Sequence, residues 1–246
     1  MPILVALKFL TVLPVPAPAE LPPKAMGRAV AWYPLAGVLV GLLLAGADWA
    51  LGLALPAALR SALVIALWVA LTGGLHLDGF ADCCDGLLAA CPPERRLEIL
   101  RDTHAGSFAV AGVTLLLLVK AAALAGLPAA WRLGALVAVP ALGRWTMAYA
   151  LVAYPYARRE PGLGGLAKEG AGLRELAVAS ATALGASLAA WGWAGLAALP
   201  ATWALTALVA RWIMGRIPGL TGDTYGAICE VAEAAWLVGL AALGGR

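Results

Sequence analysis

The chain has 246 residues, is 63% hydrophobic and only 13% charged, and carries a net charge of +3. A soluble domain usually carries about 25% charge, so this composition excludes an ordinary water-soluble domain. The mild positive balance gathers on no single face, which argues against a nucleic-acid footprint.

The first 18 residues, MPILVALKFLTVLPVPAP, contain an apolar stretch whose one base, Lys8, lies inside it, and prolines follow instead of a small-residue cleavage site. That is no signal peptide; Lys8 to Pro18 reads as a re-entrant or interfacial segment. Seven apolar stretches then read as bilayer-spanning helices, because lipid offers the backbone no hydrogen-bond partner. They are 29–55, 61–77, 107–126, 133–153, 177–199, 201–217 and 226–243, the second and sixth being short. Trp32, Trp49, Trp131, Trp191, Trp193 and Trp203 fall near span ends, as in an aromatic belt. The expected architecture is all-α: a polytopic integral membrane bundle of about seven transmembrane helices, one domain over 1–246.

With the N-terminus in the cytoplasm, eleven bases face that side: Lys8, Lys24, Arg28, Arg95, Arg96, Arg101, Arg158, Arg159, Lys168, Arg174 and Arg216. Three, Arg60, Arg132 and Arg246, face the other. Lys120, Arg144 and Arg211 sit within spans. The asymmetry obeys the positive-inside rule and puts every polar motif on the cytoplasmic face of a multi-pass cell-membrane protein. Cys83, Cys84, Cys91 and Cys229 form no C-x-x-C pair, so neither zinc nor a disulfide framework is expected.

Six of the fourteen acids lie between 78 and 102: Asp78, Asp82, Asp85, Glu94, Glu98 and Asp102. On a helix the first three fall within roughly 60° of one another. The stripe has no Lys or Arg of its own, and unpaired carboxylates repel strongly near a bilayer. A divalent cation supplies the missing charge; Mg²⁺ is held by one or two carboxylates plus substrate phosphate. Gly73, Gly74, Gly79 and Gly86 leave room for a ligand to approach the backbone. Farther on, Arg101 can grip phosphate, and Asp102 can serve as metal ligand or general base. Asp102 or Thr103 can equally cap the following span. His104 is a candidate base or phosphate contact, although a lone loop His, like His76 beside the stripe, is usually neither. PPERRLEILRD reads as an exposed amphipathic turn with local ion pairs.

Two later clusters complete the set. In TGDTYGAICEVAE, Thr221, Asp223 and Thr224 stand at a helix start, which favours phosphate but is also an ordinary cap. Glu230 shares a face with Asp223, and an unpaired Glu in an apolar run is costly. In YPYARREPGLGGLAKEG, Arg158, Arg159 and Lys168 flank a Gly/Pro-rich loop, suited either to phosphates or to fixing topology. No Walker loop, G-x-S-x-G or H-E-x-x-H is present. The residues point to a membrane-embedded, Mg²⁺-dependent transferase acting on a phosphate-containing substrate.

Several ordered motifs add a resemblance. FLTVLPVP (9–16), WYPLAGVLVG (32–41), GGLHLDGFADCCDG (73–86), RDTHAGSFAVAGV (101–113), YARREPGLG (156–164) and GLTGDTYGAICEVAE (219–233) are similar to those of the cobalamin synthase family, the adenosylcobinamide-GDP ribazoletransferases. The resemblance implies transfer of the adenosylcobinamide phosphoryl group from adenosylcobinamide-GDP to α-ribazole or α-ribazole 5′-phosphate, with release of GMP. It implies Mg²⁺ on Asp78, Asp82 and Asp85, with Asp223 and Glu230 completing the metal or nucleotide site. Asp82, Asp102 and His104 would be catalytic, and Arg101, Arg158, Arg159, Thr221, Asp223 and Thr224 would bind substrate. The family commonly has Arg at the position of His104, so a phosphate contact there is lost or passes to the imidazole. Membrane lipid is an implied partner, and homo-oligomerisation stays open.

Two rivals stand beside this reading. A CDP-alcohol phosphotransferase also uses a cytoplasmic Asp cluster, and Gly79 follows Asp78 as in its D-G-x-x-A-R motif, but Asp82 follows Ala81 where Arg is expected, and the later acids fall at other intervals. A transporter would spread acids through the membrane depth on several spans.

Overall fold

The computed structural model describes residues 1–16, 22, 24–158 and 162–244. Leu and Ala, strong helix formers, dominate the long elements, and no strand forms among the described residues apart from one isolated bridge between Tyr156 and Leu220. Helix α1 (Pro2–Leu10) precedes α2 (Ala25–Ala29), which continues through the single turn Val30–Trp32 into α3 (Tyr33–Leu51). Then follow α4 (Ala57–Thr72), α5 (Leu75–Leu88), α6 (Pro93–Ile99), α7 (Ser107–Ala125), α8 (Ala129–Ala153), α9 (Leu163–Gly170), α10 (Leu173–Trp191), α11 (Ala198–Met214) and α12 (Gly222–Gly244). Five helical stretches are long and apolar enough to cross a membrane, or six if the bent pair α4–α5 is one span. The chain is a polytopic helical membrane protein.

Packing gives three of the expected segments their detail. The N-terminal segment is a helix packed into the bundle, with Leu10 fully buried and the Val12 N–H bonded to the Leu71 carbonyl at 2.9 Å. The 61–77 span stops at Thr72, because Gly73 and Gly74 both enter the left-handed region, at φ 60° and 69°. Their N–H groups close on the Ala70 and Val69 carbonyls, and α5 leaves α4 at 94°. The 177–199 and 201–217 spans are α10 and α11 of one 42-residue helical stretch. Gly192, at φ 58° and ψ −139°, ends α10. The following turn folds back until Gly195 meets the Ser187 carbonyl, where a Cβ would stand 2.3 Å from the oxygen.

Helix α8 is the central element, buried almost without interruption from Ala135 to Leu151 and flanked by α3, α10 and α12. Gly37 and Gly41 let α3 lie against it backbone to backbone: a Cβ at either would stand 2.4 Å from the Pro140 or Leu136 carbonyl oxygen. Small residues one turn apart are the usual means of close helix packing in lipid, where no hydrophobic force separates protein from solvent.

Charges inside the bundle are paired. At the end of α3 remote from Tyr33, Arg132 bonds Asp48, Ser61 and the Leu124 carbonyl, and Arg60 lies 3.4 Å from Asp48. Deeper, Lys120 of α7 donates to Glu230 at 2.8 Å and to Glu233 at 2.6 Å, both on α12. Arg144 of α8 also bonds Glu233, and it reaches His76 of α5 at 3.3 Å. Asp48, Glu230 and Glu233, the buried carboxylates of α3 and α12, thus each meet a base.

Candidate active site

Helix α5 lies across α12 and α7, and two glycines set how closely. A Cβ on Gly79 would stand 2.7 Å from the Asp223 carbonyl oxygen, and one on Gly226 would stand 3.1 Å from the His76 Cα. The touching backbones bring the acidic stripe of α5 to the N-terminus of α12. Gly79→Val is therefore expected to prise α5 from α12 and lower stability by about 1–3 kcal/mol. A lowered melting temperature in detergent, with activity falling alongside it, checks this; an unchanged melting temperature would show that the contact yields freely.

Asp78 is exposed on this stripe, while Asp82, Asp85 and Asp223 are half-buried. Asp78, Asp85, Asp223 and Arg158 all lie within electrostatic reach of Asp82. Two of the four acids have partners. Asp85 accepts the Gly106 N–H at 2.6 Å and the Ala109 N–H at 3.0 Å, so it caps α7 from another helix. This corrects the expectation that Asp102 or Thr103 caps that span. Asp223 accepts Arg158 Nη2 at 2.6 Å and the Thr221 hydroxyl at 3.3 Å. Among the described residues Asp78 and Asp82 have no such partner.

Arg158 is held by its strand-like neighbours. Ala157 N–H donates to Leu220 O and Leu220 N–H to Pro155 O, each at 2.8 Å, and the guanidinium also bonds the Leu100 carbonyl at 3.0 Å. Arg159 lies outside the described residues. Lys168 bonds the Leu151 and Tyr154 carbonyls and so closes the C-terminus of α8.

The remaining sequence candidates are placed less centrally. Thr221 and Thr224 are fully buried and cap each other: Thr221 N–H donates to Thr224 Oγ1 at 2.8 Å and Thr224 N–H to Thr221 Oγ1 at 3.3 Å. Glu230 faces Lys120, not the aspartates. Arg101, Asp102 and His104 are exposed in the loop between α6 and α7. His104 bonds Asp102 through its ring at 2.8 Å and its backbone N–H at 3.0 Å, and these bonds hold the Asp102 carboxyl below its ordinary range. The expected ion-paired turn is α6, with Arg95 and Glu98 exposed and 2.6 Å apart.

Among the described residues no three His, Cys, Asp or Glu side chains stand together as a ready metal cage. The donors available are Asp78 and Asp82, one turn apart, with Asp223 across the helix crossing. That set suits a hard cation taking one or two carboxylates and completing its shell with water and phosphate; it does not suit a closed all-protein site.

Beside these residues lies a cavity of about 210 Å³. Asp78, Asp223 and Arg158 stand on its wall, together with Phe9, Tyr33, Met147, Leu151, Tyr156 and Tyr225. Sequence reading missed this wall, because aromatic and aliphatic residues in apolar runs carry no local sign that they face a void. It also missed Lys120, Arg144 and Glu233 as one network, although isolated charges inside apolar runs were a usable signal.

The sequence motifs thus converge on one end of a membrane bundle. A family model described as cobalamin-5-phosphate synthase matches residues 2–241. The chain belongs to the cobalamin-5-phosphate synthase family. A curated relative from Roseiflexus sp. (strain RS-1), named adenosylcobinamide-GDP ribazoletransferase, is 40% identical over 94% of this chain and 86% of its own. Relatives of the same name from Pseudomonas paraeruginosa (43% identical, 97% of each chain) and Stutzerimonas stutzeri (41% identical, 100% of each) agree. No solved structure matches. Membership in the cobalamin-5-phosphate synthase family makes the chain a transferase of cobalamin biosynthesis, and the family assignment rests on nearly its full length.

Proposed function

We propose that this chain transfers the adenosylcobinamide phosphoryl group from adenosylcobinamide-GDP to α-ribazole or its 5′-phosphate, at the cytoplasmic end of the bundle. A ribose hydroxyl oxygen of the acceptor bonds to the phosphorus attached to cobinamide. The bond from that phosphorus to the GMP oxygen breaks, GMP leaves, and the hydroxyl proton is lost to a nearby base. The observation that carries the reading is the meeting of Asp78 and Asp82 on α5 with Asp223 and Arg158 across the α5–α12 crossing, in a chain of this family.

Asp78 and Asp82 would hold Mg²⁺, with Asp223 the third acid in reach. The ion, when bound, neutralises charge on the diphosphate and on the leaving GMP. Arg158, already fixed against Leu100 and Asp223, orients phosphate oxygens. Asp82, half-buried among like charges, adds its charge to that of Asp78 in drawing the ion to this crossing. Asp85 positions the loop before α7 by capping it.

Purified protein in liposomes, given adenosylcobinamide-GDP and α-ribazole, should release GMP only when a divalent cation and the acceptor are both present. EDTA should stop release and added Mg²⁺ should restore it. GMP release without acceptor would point to hydrolysis, and full activity in EDTA would remove the metal from the reading.

A further inference from the structure

We propose that the cavity receives the heterocyclic base of the acceptor, a neutral benzimidazole-type ring, while the corrinoid diphosphate stays outside it at the aspartates. This rests on the transferase reading above and divides the site between the two substrates. At about 210 Å³ the cavity is below the ~300–1,000 Å³ of pockets that enclose a whole drug-sized ligand, so it houses part of one. A corrin ring with its amide arms is far too wide. The wall where Asp78, Asp223 and Arg158 stand is the side from which a ribose would meet phosphate.

The lining selects the kind of base. Phe9, Tyr33, Met147 and Leu151 offer aromatic and aliphatic surface. A guanine edge carries more donors and acceptors than the three unpaired atoms of this wall can meet, and each one left unpaired costs about 1–3 kcal/mol. A benzimidazole nucleoside presents one in-plane acceptor nitrogen and otherwise apolar ring.

Three wall residues carry matching unpaired atoms: His76 Nε2, Tyr33 Oη and Tyr225 Oη are buried without a hydrogen-bond partner among the described residues. The state of His76 follows from its neighbour. Arg144 can only donate, so His76 Nδ1 accepts, and the ring proton sits on Nε2. Among the described residues this buried donor has no acceptor, and two phenol groups stand beside it. A ring nitrogen and sugar hydroxyls supply those partners. Buried polar groups left unpaired are rare, and three on one small cavity call for a ligand.

The test uses full-length wild type, Tyr33→Phe and Tyr225→Phe in liposomes. Equilibrium binding of α-ribazole alone is measured first, then KM for each substrate separately. Each Phe variant should weaken α-ribazole binding about 2- to 10-fold and raise the acceptor KM equally, the loss of one neutral hydrogen bond. The donor KM should stay unchanged, which also shows that the fold is intact. A rise in donor KM with unchanged α-ribazole binding would give the cavity to the donor nucleotide, and no change in either would mean that it holds no substrate. Adenosine should bind wild type more weakly than α-ribazole, and equal binding would overturn the choice of base. Because binding is read without turnover, absence of GMP release in wild type would sink the transferase reading separately.

Discussion

Asp82→Asn is expected to reduce GMP release by about a thousandfold while the chain inserts and folds as before, a loss of roughly 4 kcal/mol of transition-state stabilisation. The change keeps shape and removes only charge. Asp82 sits between Asp78 and Asp85 on α5, with Asp223 and Arg158 nearby, and among the described residues it carries no structural bond that Asn would break. Asp85→Asn serves as the contrast. That carboxylate accepts two N–H groups at the start of α7, so its loss should appear first in stability, by about 1 kcal/mol, the usual worth of a cap. Melting temperatures and initial rates of both variants in one preparation separate the two roles. Near-wild-type turnover by Asp82→Asn would remove this carboxylate from the chemistry.

Lys120→Met should destabilise the bundle far more, by about 3–5 kcal/mol, because it strands Glu230 inside the protein. Glu233 keeps Arg144, but Glu230 has Lys120 alone among the described residues. The Lys120 ammonium also sits 4.3 Å from the centre of the Trp68 ring, so that contact goes as well. Lys120→Met with Glu230→Gln removes both charges and should recover at least half of the loss. Thermal unfolding in detergent reads both, and a single variant as stable as wild type would show that the network does not hold these helices together.

The apolar runs gave the membrane bundle directly, since only hydrogen-bonded helices survive in lipid. What composition could not supply was direction. The pair Gly73-Gly74 looked like room for a ligand, yet its left-handed geometry turns the chain by 94° and ends the span early. Gly192, also at positive φ, marks the break between α10 and α11, which read as two separate spans. In the site, the stripe 78, 82, 85 was legible from helical spacing alone, and Asp223 with Arg158 from their motifs. The division of labour was not. Asp85 became a cap, Thr221 and Thr224 paired with each other, and Glu230 turned inward to Lys120, because each polar group found a nearer partner that only the packing reveals. The cavity wall draws on α1, α3, α5, α8, α9 and α12, and no local pattern announces a surface assembled from so many helices.

The bend before α5 has a consequence for where the reaction can occur. Along a spanning helix, residues seven apart would differ in depth by about 10 Å, placing Asp78 and Asp85 at quite different levels of the bilayer. Turned across α4, the same seven residues extend sideways. With α4 along the bilayer normal, the carboxylates would spread along the plane of the membrane, where the diphosphate of the proposed donor could reach them without any part of that substrate entering the hydrocarbon.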